Sequence, residues 1–295
     1  MPLNLVLNNS SESLKPETLY IVATPIGNIE DISIRSLKVL DQVDLIAAED
    51  TRETQKLLKH YNISTSLIAC HDHNETQCAE KLITQLKKGA TIALVSDAGT
   101  PTVSDPGYRV VLKAINENIK IVPIPGASAA ITALSVSGLP SDSFVFQGFL
   151  PKKQGKKLKI LSQLSLEPRT IIFYESPKRI ISLLEELIKI LGDREAMLGR
   201  ELTKLYEECI RGKLSHIREC ICNKKTIKGE CTLLVSGYDP KSKTYDNKEL
   251  RQKIKKYLEE NDDLPMSQCV KNIVTLYGAS RKKVYDISLD IKNEK

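Results

Sequence analysis

From Leu19 to Val122 the chain alternates short β-branched runs with helix-length amphipathic segments, a pattern that calls for an α/β layer built on a mostly parallel sheet. The candidate strands are Leu19–Ala23, Val43–Ala47, Ser66–Cys70, Thr91–Val95 and Lys120–Val122. Helix ends are legible between them: the segment from Glu75 to Lys88 stops at Gly89, and Asp105-Pro106 offers an N-cap followed by proline at the first helical position.

The run Pro123 to Gly126 breaks this pattern, and a small-residue helix, Ala127 to Ser137, follows it. Beyond it the spacing predicts strands at Phe144–Gln147, Thr170–Tyr174, Glu195–Gly199, Leu205–Ile210 and Cys231–Ser236, with helices at Arg179–Leu191 and Leu214–Cys222, in a mixed or antiparallel sheet. After Asp239-Pro240 three short amphipathic helices read as a helix-turn-helix-like module, or equally as a small packing or dimerisation module. Ser280 is placed to cap the last of them, which opens on Arg281-Lys282-Lys283. The expected organisation is a flexible tail over 1–17, an N-terminal α/β domain over 18–124, a second α/β domain over 125–239 and the helical module over 240–295.

At 295 residues and 41% hydrophobic content the chain can bury a core for about two domains and an appendage. The formal charge is only +6, and residues 241–295 hold +4 of it, so the basic bias is local. No apolar run approaches the length that spans a bilayer, and residues 1–17 lack the pattern of a signal peptide. Seven cysteines without a CxxC pair argue against a disulfide framework or a thiolate zinc site, and predict reduced thiols in a cytosol.

The first strand runs into Thr24-Pro25-Ile26-Gly27-Asn28, which holds one glycine where a dinucleotide fold would place three to let the backbone approach a pyrophosphate. A phosphate-bearing cofactor is therefore disfavoured at this loop. The longest polar loop, Ser96 to Gly107 (SDAGTPTVSDPG), follows a strand's carboxyl end, where open α/β sheets bind ligands, although an ordinary strand-to-helix connection can share its composition.

The segments IVATPIGNIEDIS, AAEDTR, CHDHNE, ALVSDAGTP followed by SDPG, PIPGASAAITALSVSGLP, FQGFLP, IIFYESPKR and GRELTK occur in that order. Together they resemble the ribosomal RNA small subunit methyltransferase I branch of the tetrapyrrole methylase superfamily, over roughly Leu19 to Gly237. The resemblance implies a two-lobed tetrapyrrole methylase-like α/β fold, with a parallel-sheet N-terminal lobe, a mixed-sheet second lobe and a small C-terminal helical module. It implies a cytoplasmic homodimer that uses S-adenosyl-L-methionine, with no metal and no membrane, to methylate the 2′-oxygen of a cytidine in the decoding region of 16S rRNA. Carried over by motif, Pro25, Asp97, Thr100, Thr102, Val103, Ser128 and Ala129 would line the cofactor, and Tyr174, Glu175, Leu202 and Thr232 would close the pocket. Two positions depart from the family's habit: Ala127 stands where proline is common and Lys178 where histidine is frequent.

Methyl transfer from a sulfonium needs positioning more than a metal, but a ribose hydroxyl is a weak nucleophile and profits from a base. Candidates are Asp50 beside Glu49 after the second strand, His71 in the HDHNE cluster after the third, and Glu201 with Lys204 in GRELTK. His71-x-His73 also fits a capping cluster or a metal pair, and Arg200 with Glu201 also fits an interdomain ion pair. For the RNA backbone, Lys152, Lys153, Lys156, Lys157 and Lys159 form a run without an acid, joined by Arg52, Lys178, Arg179 and Arg281 to Lys283. The rival readings are a methylase of a small tetrapyrrole and a noncatalytic ribosome-binding factor.

Overall fold

The computed structural model describes residues 14–224, 226–239 and 247–293. Most of the expected tail, 1–13, lies outside them, and of the remainder Leu14 packs against the first core. The first lobe contains β1 (Thr18–Val22), β2 (Leu45–Ala48), β3 (Leu67–Ala69), β4 (Thr91–Val95) and β5 (Lys120–Ile124), all parallel in the order β3-β2-β4-β1-β5. Successive strand residues face opposite ways. Tyr20, Val22, Ile46, Ala48, Ala93 and Val95 therefore pack under α1 (Ile34–Gln42) and α2 (Thr51–His60). Leu19, Ala47, Ile92 and Leu94 pack on the other face, against α3 (Glu75–Leu86) and α4 (Tyr108–Asn116).

In this order the chain leaves β1 toward one edge of the sheet and leaves β4 toward the other, so their carboxyl ends flank the topological switch point, where such sheets open a crevice. The two loops at that point are tied by reciprocal backbone bonds, Thr24 N–H to Gly99 O at 2.8 Å and Gly99 N–H to Thr24 O at 3.1 Å.

After α5 (Ala129–Ser135), the second lobe contains β6 (Phe144–Phe149), α6 (Gln154–Gln163), β7 (Thr170–Glu175), α7 (Ile180–Leu191), β8 (Glu195–Arg200), β9 (Glu208–Lys213), α8 (Leu214–Cys222) and β10 (Cys231–Val235). Its strand order is β6-β7-β10-β8-β9, parallel between β6 and β7 and antiparallel elsewhere. Ile171, Phe173, Leu198, Leu233 and Val235 are covered by α6, α7 and α8. The alternate residues Ile172, Met197 and Leu234 turn toward α5 and meet Ile26 from the loop after β1, so this apolar cluster joins the two lobes. The helices α9 (Asn247–Glu260), α10 (Met266–Tyr277) and α11 (Arg281–Asn293) pack round a core of their own. Ser280 Oγ accepts the Lys283 N–H at 3.3 Å at the start of α11. No helix among the described residues is long and apolar enough to cross a membrane.

Two departures from the sequence expectation have physical causes. Asp105-Pro106 does not start a helix: α4 begins at Tyr108, because the buried Glu75 carboxylate on α3 accepts the N–H groups of Gly107 (2.9 Å) and Arg109 (2.7 Å) and supplies the cap from a distance. The strand expected from Leu205 begins only at Glu208, because 201–207 forms a loop with Glu201 and Thr203 at φ 53° and 66°. Of the lysine run, Lys156, Lys157 and Lys159 lie on α6, whose Leu161 is buried in the second core, and Lys152 and Lys153 precede it.

Candidate active site

A cavity of about 350 Å³ opens at the switch point, within the size range of small-molecule sites. The first lobe contributes Ile26, Glu49, Asp97 to Thr100, Val103 and Asp105, and Ser128 and Ala129 follow from the segment that enters α5. The second lobe contributes Phe149, Tyr174 to Pro177 and Gly229 to Thr232. Tyr174 is the link between them: its hydroxyl accepts the Ala130 N–H at 3.0 Å, and its ring meets Phe146 and Phe149 edge-on at 5.0 and 5.5 Å.

The cavity's polar wall is acidic. Glu49 ends the approach from β2, Asp97 from β4, and Asp105 lies on the long loop, so the sheet's carboxyl edge gathers three carboxylates from separate chain segments. Burial, then the Asp97 carboxylate, pushes Glu49 up, and burial also pushes Asp97 up, although it accepts the Asp50 N–H at 2.9 Å. Asp105 goes furthest: burial first, then repulsion from Glu49, raises it to about 7 against the opposing Ser96 hydroxyl bond. Glu175 is 4% exposed and spent locally, accepting from Ser176 N–H at 2.7 Å and from the Arg179 guanidinium at 2.5 Å.

Of the residues expected to line a cofactor, Asp97, Thr100, Val103, Ser128, Ala129, Tyr174, Glu175 and Thr232 surround this cavity, whereas Pro25, Thr102 and Leu202 do not. Leu202 is buried in the apolar cluster between the lobes. The three base candidates also lie outside the lining. Asp50 caps α2 and is gripped by Arg52, which holds it down at about 2. Glu201 pairs with Lys204 at 2.9 Å and accepts the Glu230 N–H at 3.0 Å. The ion pair suggested between Arg200 and Glu201 is not formed: Arg200 turns to Glu208 of the same lobe at 3.0 Å. His71 and His73 stack edge to face at 6.0 Å, and His71 Nδ1 is buried without a hydrogen-bond partner. Among the described residues no group of His, Cys, Asp and Glu is arranged to hold a metal ion. All seven cysteines are free.

The loop 201–204 clasps the first lobe. Thr203 Oγ1 accepts the Asn28 N–H at 2.9 Å, and a Cβ on Gly27 would lie 2.8 Å from the Leu202 carbonyl oxygen. Two non-glycine residues held left-handed in this short loop cost roughly 1–3 kcal/mol each, strain that concentrates where geometry serves a site. Gly229 gives this loop room, since a Cβ there would lie 2.1 Å from Glu201 Cδ.

Several basic residues are close in the chain to residues that line the cavity. Arg52 follows Glu49 by three residues, Lys178 follows Pro177, and Lys152 and Lys153 follow Phe149 at the start of α6. Lys152, Lys153, Lys156 and Lys178 are exposed, but Lys157 is half-buried and paired with Glu186 at 2.7 Å, and Arg179 is committed to Glu175. Arg281, Lys282 and Lys283 open α11 in the separate helical module.

Residues 18–218 match the family of tetrapyrrole (corrin/porphyrin) methylases. A protein of Halalkalibacterium halodurans named ribosomal RNA small subunit methyltransferase I is 43% identical over 274 residues, 92% of this chain and 94% of that protein. The protein of the same name from Vibrio cholerae is 53% identical over 75% of this chain and 77% of its own length. Among solved structures, uroporphyrin-III C-methyltransferase from Thermus thermophilus, complexed with S-adenosylhomocysteine, superposes with a TM-score of 0.53 at 16% identity, over 74% of this chain and 96% of that one, a likeness of fold.

Proposed function

The chain belongs to the tetrapyrrole (corrin/porphyrin) methylase family, and within it to the ribosomal RNA small subunit methyltransferase I group; on that premise we propose that it methylates small-subunit ribosomal RNA with S-adenosylmethionine, at the ribose 2′-oxygen of a cytidine in the decoding region. The observation that carries the cofactor reading is the acidic wall of the cavity. Glu49, Asp97 and Asp105 would repel a nucleotide's phosphates and attract a cation, and the apolar faces of Ile26, Val103 and Phe149 leave room for an adenosyl group. When bound, S-adenosylmethionine supplies a methyl group on a cationic sulfonium whose leaving group is a neutral thioether. The protein's part is to hold the ribose oxygen in line with that methyl, and such positioning can lower a barrier by roughly 7–11 kcal/mol. Tyr174, anchored on the Ala130 N–H, and the clasp between Gly27 and Leu202 fix the two lobes for that task.

For the RNA we assign the exposed Lys152, Lys153, Lys156 and Lys178, with Arg52 and, on the helical module, Arg281, Lys282 and Lys283, to phosphate contacts. We propose further that the protein acts as a homodimer in the cytoplasm. The test is incubation with methyl-labelled S-adenosylmethionine and small ribosomal subunits from cells lacking the gene. The expected result is label in the RNA at one cytidine, resistant to alkaline cleavage on its 3′ side because the 2′-oxygen is blocked. Label passing instead to a porphyrinogen would assign a tetrapyrrole substrate, and RNA binding without label would assign a noncatalytic ribosome-binding factor.

A further inference from the structure

We propose that Asp105 is the base that removes the proton from the ribose hydroxyl as the methyl group is transferred, a role that rests on the RNA 2′-O-methylation reading. Asp105 lines the cavity from the long loop after β4, half-buried, on the same wall as Glu49 and Asp97. Of the two acids on that wall, Asp97 accepts the Asp50 N–H at 2.9 Å and Glu49 accepts the Asp97 N–H at 3.5 Å, and the remaining acids are engaged or displaced. Asp50 and Glu201 are paired and lie outside the cavity, Glu175 is held by Arg179, and Glu230 is held by Lys204 at 3.1 Å. The charged groups that act on Asp105 are the carboxylates of Glu49 from β2, Asp97 from β4 and Asp72 from the segment after β3; the nearby Ser96 hydroxyl opposes them, and Tyr174 of β7 lines the same cavity from the second lobe. No cation is among them.

A carboxylate in that setting is a stronger base than an exposed one, and burial with the neighbouring negative charge places it at about 7, where ionised base and proton affinity are both available near neutral pH. In the step, the ribose O–H bond breaks with its proton passing to Asp105, the oxygen forms its bond to the methyl carbon, and the carbon–sulfur bond breaks with its electron pair remaining on sulfur. Asp105 then returns the proton to water. The loop's anchorage suits the role: Glu75 holds the N–H groups of Gly107 and Arg109, fixing the backbone just beyond Asp105.

The experiment compares wild type, Asp105→Asn, Asp105→Glu and Glu49→Gln in single-turnover methylation of small subunits across pH, alongside calorimetry of S-adenosylmethionine binding. With saturating S-adenosylmethionine, whose positive charge favours the ionised carboxylate, the wild-type rate is expected to rise about tenfold per pH unit and level off below about pH 7, and Asp105→Asn to lose about 10²- to 10⁴-fold at saturating cofactor, which it binds more weakly. Asp105→Glu restores part of the rate. Glu49→Gln, which removes a repelling charge, moves the midpoint to lower pH. A readout independent of turnover comes from stability. The raised carboxyl favours the native state below the unfolded carboxylate range and opposes it as pH rises through about 7. Asp105→Asn therefore melts higher than wild type at about pH 8, and the difference closes toward about pH 4. Wild-type labelling of RNA with Asp105→Asn within threefold of it, or a Glu49→Gln midpoint that stays in place, overturns the base assignment alone. Failure of the wild type to label RNA overturns the RNA reading, and the base role with it.

Discussion

Replacing Gly27 by alanine is expected to reduce methyl transfer about 100-fold while the protein remains folded. The added Cβ would stand 2.4 Å from Lys204 Cγ, 2.7 Å from Thr203 Oγ1 and 2.8 Å from the Leu202 carbonyl oxygen. A lysine methylene can swing away, but the Leu202 peptide cannot, because its side chain is buried against Ile26 and Met197 and the loop is already held left-handed at Glu201 and Thr203. Relief must come from separation of the lobes. That separation breaks the Asn28 N–H bond to Thr203 Oγ1 and moves Gly229 to Thr232 away from Asp97 to Thr100 across the cavity. A misplacement of about 1 Å suffices for a 100-fold loss, and overpacking of this kind costs roughly 1–3 kcal/mol of stability. Methylation rates within threefold of wild type, in a variant shown by circular dichroism to be folded, would mean that the clasp does not set the cavity's geometry.

The largest expected loss of stability comes from Phe173→Ala, about 3–5 kcal/mol by the midpoint of urea unfolding. Phe173 is fully buried in β7, between β6 and β10, and packs in the core closed by α6, α7 and α8. Its neighbours Ile172 and Tyr174 point the opposite way, toward the lobe interface and the cavity, so β7 serves the core with one face and the site with the other. A cost below about 1 kcal/mol would show that this core collapses into the space and is not close-packed.

The sheet of the first lobe was legible because its strands are short apolar runs separated by helices with the right period, and a buried parallel strand leaves that trace in one dimension. Strand ends shifted where caps intervened: Val43 closes α1 by donating its N–H to Val39, and β2 starts only at Leu45. The start of α4 was not legible, because its cap is Glu75, thirty-odd residues away in sequence and adjacent only in the fold. The same reason hid the acidic wall. Glu49, Asp97 and Asp105 are unremarkable singly, and their mutual repulsion exists only once β2 and β4 stand side by side with the long loop folded over them. A signal was available, since Asp97 and Asp105 share one polar loop at a strand's carboxyl end, but a turn-forming Asp-Pro reads first as a cap. Phe149 and Pro177 stand inside FQGFLP and IIFYESPKR without being singled out, and Gly229 and Glu230 lie outside every motif, so only the fold brings them to the cavity.

Calorimetry of the protein decides whether this cavity takes a cationic sulfonium and refuses a phosphate. S-adenosylmethionine and S-adenosylhomocysteine are expected to bind, and ATP, whose triphosphate would meet Glu49, Asp97 and Asp105, is expected to give no heat. Saturable binding of ATP with none of either adenosyl ligand would show that the acidic wall does not select the cofactor.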